Sequence, residues 1–73
     1  MDMVKVKEIE ETYRLKAEEE NYDNNKTVDI LMIASEVIEL KPLIGTEADI
    51  LTWGEFTRRF NNCMKELEAL IGN

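Results

Sequence analysis

The chain has 73 residues, a formal net charge of −7, one cysteine and no histidine. That is one domain at most, spanning 1–73, and a chain this short buries only about 60% of its unfolded surface. An intrachain disulfide, a histidine-dependent catalytic site and a structural zinc site are excluded, so stability must come from very good helix packing or from association.

The pI near 4.5 argues against non-specific nucleic-acid binding and against anionic membranes. It admits a basic protein partner, including one that itself binds nucleic acid. No secretory segment is evident, and no apolar run approaches the roughly 20 residues of a membrane span. A lone cysteine fits a reducing compartment, so the expected location is cytoplasmic.

One proline and three glycines leave long stretches uninterrupted, which favours helices. Residues 2–22 read as a first helix. Val6, Ile9, Tyr13 and Ala17 form a thin apolar stripe, and Glu10 with Arg14 is a favourable i,i+4 pair. The opening "MVKVK" alternates instead with the period of a strand. "NYDNNKT" then breaks the pattern, and Thr27 or Asn25 is placed to cap a second helix.

That second helix, about 28–41, is apolar nearly all round its first half, through Val28, Ile30, Leu31, Met32, Ile33 and Ala34. Such a helix is central, or its extra face meets another molecule. Its β-branched content keeps a strand over 28–33 open as the alternative. Pro42 bars a simple continuation.

"GTEADILTWGEF" carries two start signals in tandem, Thr46 with Asp49 and Thr52 with Glu55. They predict a short helix near 46–52, a bend at Gly54 and a last helix near 53–71, with Gly72 as its stop. In that last helix Trp53, Phe56, Phe60, Cys63, Leu67 and Leu70 recur at steps of three and four. The expected fold is all-α, with three main helices and a short connecting one. The alternative is α+β, with short strands near 3–6 and 28–33. The expected core combines Ile9, Tyr13, Ile30, Leu31, Ile33, Ala34, Val37 and Ile38 with the stripe of the last helix.

Chemistry is sparsely represented. Cys63 lies on an apolar seam with no histidine to act as its base, which reads as a small core residue. "DNNKTVDILMIASE" fails as a calcium loop, because Val28 stands where Gly is needed and Ala34 where Glu is needed. The chain is therefore read as non-enzymatic, with no metal and no cofactor.

Three surfaces remain as candidates. The carboxylates Glu8, Glu11, Glu18, Glu19, Glu36 and Glu39 form an acidic face suited to a basic partner. Trp53, Phe56, Phe60, Met64, Leu67 and Ile71 form a seam wider than the thin first helix can cover, which predicts a homodimer through the last helix. "TEADILTWGEFTRRFNN" can alternatively be read as a helix-turn-helix, with Arg58, Arg59 and Asn62 contacting nucleic acid.

Taken whole, the chain is very short, acidic, cysteine-poor, helical and without catalytic residues. In type it resembles the small inhibitor proteins of bacteriophages and mobile elements, anti-CRISPR-type proteins among them, a description that also takes in antitoxins and small transcription regulators. The resemblance implies a protein that binds and blocks or regulates another macromolecule in the cytoplasm of a bacterial host.

Overall fold

The computed structural model describes residues 1–72. They form four α-helices, α1 (Met3–Glu19), α2 (Asn25–Leu40), α3 (Glu47–Leu51) and α4 (Glu55–Ile71), with a 3₁₀ turn at Lys41–Leu43 between α2 and α3. No strand occurs among the described residues, so the all-α expectation holds and 3–6 and 28–33 are helical.

Each boundary has a local cause. Asp2 caps α1 by accepting from the Lys5 amide, and this fixes "MVKVK" as a first turn despite its alternation. The helix ends at Glu19, short of residue 22. The Tyr22 amide donates to the Ala17 carbonyl and the Asn21 amide to Glu18, with Asn21 at φ 54°. That is a Schellman cap, in which asparagine tolerates the left-handed position better than most residues. Asn24 caps α2 through the amides of Lys26 and Thr27. Thr27, one of the two expected caps, is instead inside the helix and buried. Pro42 sits in the 3₁₀ turn that follows α2, where its missing amide is not needed.

Of the two placements open to α2, the central one is seen within the chain. It packs along both α1 and α4, while α1 and α4 meet each other much less. With apolar groups all round its first half, α2 packs on both sides as a helix, and that tertiary burial outweighs its β-branched content. The core is Val6, Ile9, Ile30, Ala34, Val37 and Leu67, with Tyr13, Ile33, Ile38, Phe60, Cys63, Met64, Leu70 and Ile71 packed against it. Val6, Ala17 and Leu40 are also buried, beyond the expected list.

Two local expectations are corrected. Trp53 is not in the last helix and not in the core. It precedes α4, has φ 58° and is 88% exposed. The Thr52–Glu55 capping box does not form either. The Thr52 hydroxyl turns back to the carbonyls of Ala48 and Asp49, and α4 begins at Gly54 with no side-chain cap of its own.

Candidate functional site

The acidic residues divide between two surfaces. Glu8, Glu11, Glu18 and Glu19 are all exposed on α1, within an arc of about 100° at 3.6 residues per turn. The buried Val6, Ile9 and Ala17 occupy the opposite side. Val4 (68% exposed) and Leu15 (52% exposed) fall in the same outward arc, which is therefore acidic with two apolar points. Tyr22, just past the helix, is exposed as well.

Glu36 and Glu39 belong elsewhere. They line a groove between α2 and α4. Glu36 takes a 2.8 Å hydrogen bond from Arg59. That guanidinium first, and then the Cys63 thiol, hold the Glu36 carboxyl below its ordinary range. Burial first, and then Glu36, push the Cys63 thiol up to about 11. At neutral pH Cys63 is thus a protonated thiol packed against the core, the opposite of an activated nucleophile. Among the described residues, no three carboxylate or thiol side chains converge to hold a metal ion.

The stripe of the last helix faces the chain's own interior. Leu67 is fully buried, and Phe60, Met64 and Ile71 pack against the same cluster. Phe56 is partly exposed and lines the α2–α4 groove. Trp53 stands apart from the stripe altogether, so the helical spacing that joined it to Phe56 runs across a backbone break at Gly54.

The residues of the nucleic-acid alternative are placed as follows. Arg59 is paired with Glu36, and its ionised form is further stabilised by that partner. Arg58 donates to the Trp53 carbonyl. Asn62 is exposed. The helix before the turn, α3, has only five residues.

The feature that sequence reasoning missed is the role of Asp49. It is the only buried residue of α3, whereas Ile50 and Leu51 on the same helix are 69% and 70% exposed. One carboxylate oxygen accepts from the amides of Phe56 and Thr57 at 3.0 and 3.2 Å. The other accepts from the Gly45 amide at 2.9 Å and the Thr57 hydroxyl at 2.6 Å. Asp49 therefore caps α4 from a different helix and ties the loop before α3 to it. The Thr57 hydroxyl first, then the Gly45 amide, hold its carboxyl below the usual range.

The turn that this carboxylate supports is a second Schellman cap. The Gly54 amide donates to the Asp49 carbonyl and the Trp53 amide to Ile50. Trp53 occupies the left-handed position where glycine is usual. The result is a fixed corner that carries Ile50, Leu51 and Trp53 into solvent.

Compared with protein-family models, with characterised proteins and with solved structures, the chain matches none.

Proposed function

We propose that the chain is a non-enzymatic interaction protein that binds and blocks or regulates another protein through the outer face of α1. One observation carries this reading: Glu8, Glu11, Glu18 and Glu19 share an outward arc with exposed Val4 and Leu15. Charge alone keeps a small protein soluble. A row of acids interrupted by exposed aliphatic side chains fits, in addition, a basic surface with apolar recesses, where the carboxylates steer the encounter and the aliphatic groups are desolvated. The partner is accordingly a basic protein, including one whose own ligand is nucleic acid. The cytoplasm is the compartment proposed for the encounter, that of a bacterial host for a protein of the phage-inhibitor type. The helix-turn-helix reading has less support, since Arg59 is held by Glu36 and Arg58 by the Trp53 carbonyl.

The test is co-purification from an extract of the source cell with the native chain and with a Glu11→Lys, Glu18→Lys variant of equal helicity. A basic protein retained by the native chain, lost with the variant and released by salt supports the reading. Identical retained proteins with both chains refute it.

A further inference from the structure

The start of α4 joins a projection from the α3 corner to a recess between α2 and α4. The projection is the Trp53 indole, 88% exposed. Its backbone is in the left-handed region, which residues carrying a side chain rarely adopt. Nothing in the fold needs an indole there, because the turn would form better with glycine. The recess is the groove between α2 and α4, lined by the apolar Met32, Leu40, Leu43 and Phe56 and also by the charged Glu36, Glu39 and Arg59. Its volume is about 580 Å³, within the range of sites that hold small organic groups. Phe56, one of its walls, lies three residues after Trp53.

We propose that these are the two halves of a self-association, in which the Trp53 indole of one copy seats in the α2–α4 groove of a second copy and the exchange is repeated about a twofold axis. An isologous interface requires one patch that holds both the donor and the acceptor surface, and Trp53 and the groove residue Phe56, three positions apart, bring the two to the start of α4. The area is sufficient. Two inserted aromatic side chains bury about 300–500 Å² on their own. Burying the groove walls and the exposed Ile50 and Leu51 of both copies as well brings the pair to the roughly 1,000 Å² that a specific interface needs. A tryptophan centred in such a patch is also the residue type that most often dominates association. This contact is distinct from the last-helix seam, whose Leu67 is already buried within one chain. It also leaves the acidic face of α1 free, so its fate is independent of the α1 reading.

The chain has one tryptophan, so its fluorescence reports on this site alone. Light scattering should give a mass of about twice 8.5 kDa at roughly 100 μM, falling toward the single-chain mass on dilution. Indole emission should move to longer wavelength over the same dilution. Each copy carries −7, so added salt should strengthen the pair by screening repulsion, opposite to its effect on an acid-to-base contact. Trp53→Ala should weaken association at least about tenfold with the helical circular dichroism unchanged. Met32→Glu, which puts a charge in the groove wall, should do the same. A single-chain mass at about 1 mM overturns the proposal, as does a dimer that survives Trp53→Ala or one whose formation leaves the indole emission unmoved.

Discussion

The two ends of the molecule are held together by opposite means. Where α1, α2 and α4 meet, six apolar side chains are buried, and the cross-helix polar ties are at the surface, such as the Met1 ammonium on Glu68 at 3.1 Å. At the α3 corner the relation is inverted: the acid is inside, and Ile50, Leu51 and Trp53 are outside. Apolar packing fixes the bundle without directionality. A carboxylate with four hydrogen bonds fixes backbone positions one by one, and so can hold apolar side chains in water that packing would have drawn in. The bundle is held by packing and the corner by hydrogen bonds.

The sharpest way to break this contrast is to make the same change in both regions. Leu67→Ala, at the centre of the bundle, should cost about 2–5 kcal/mol. A domain of this size holds roughly 4–11 kcal/mol in all, so the variant should melt far lower or unfold. Leu51→Ala on α3 should stay within about 0.5 kcal/mol of the parent. Thermal denaturation followed by circular dichroism measures both. Equal losses would mean that the corner is packed after all.

The corner should fail next, and by acid. Asp49→Ala removes the cap of α4 and the tie to Gly45, and should lower the melting temperature by roughly 5–15 °C. Amide exchange should quicken at Phe56 and Thr57 first, with the amides of α2 least affected. The pH dependence has a definite sign. The Asp49 carboxyl is held below 3.8 in the folded chain, so the unfolded chain takes up its proton first as pH falls. The stabilisation is present above about pH 4 and is lost as pH drops through the folded value. Asp49→Asn should remove this loss, while protonation of the surface acids affects both chains alike. Parallel stability curves for parent and Asp49→Asn between pH 5 and pH 2 would remove Asp49 from its central role.

How much of this was legible in the sequence follows the same division. The 3-4 spacing of Phe56, Phe60, Cys63, Leu67 and Leu70 marks α4 and its buried side, because periodic burial is a local signal. The all-round apolar character of Val28–Ala34 marks α2 as central or as meeting another molecule; packing between α1 and α4 answers for most of that face, while Met32 stays 64% exposed. Val6 and Ala17 lie on the predicted stripe. The corner is not local. Asp49 reads from its neighbours as the third residue of Thr46's capping box, and the Thr46 hydroxyl does accept from its amide. Its carboxylate, however, serves Phe56 and Thr57, seven and eight residues on. The one available hint was a helix starting at a glycine with no capping side chain, which must be capped from elsewhere. Spacing alone places Trp53 on the stripe, because it does not register the reversal of backbone handedness at Trp53 and Gly54.

A smaller effect is expected where the bundle and the groove share an ion pair. Arg59 and Glu36 are about half exposed, so solvent screens them. Arg59→Gln should lower the melting temperature by no more than a few degrees, and by less in high salt. A loss as large as that of Leu67→Ala would mean that the pair organises the α2–α4 contact, and the bundle would then not be an apolar assembly alone.

The smallest expected change has the opposite sign. Asn21 and Trp53 occupy the same left-handed position of two Schellman caps, at φ 54° and 58°. Asparagine suits that position and tryptophan does not. Trp53 recovers nothing from burial within its own chain, being 88% exposed. Trp53→Asn should therefore stabilise the isolated chain by about 0.5 kcal/mol, raising its melting temperature by a few degrees when measured below the concentration of self-association. The same substitution should weaken that association, because the indole is gone. Gain of stability together with loss of association is the signature of a residue retained for contact at some cost to the fold. If Trp53→Asn instead lowers the melting temperature of the dilute chain, the indole packs on its own corner in solution, and the exposed projection on which self-association depends is not there.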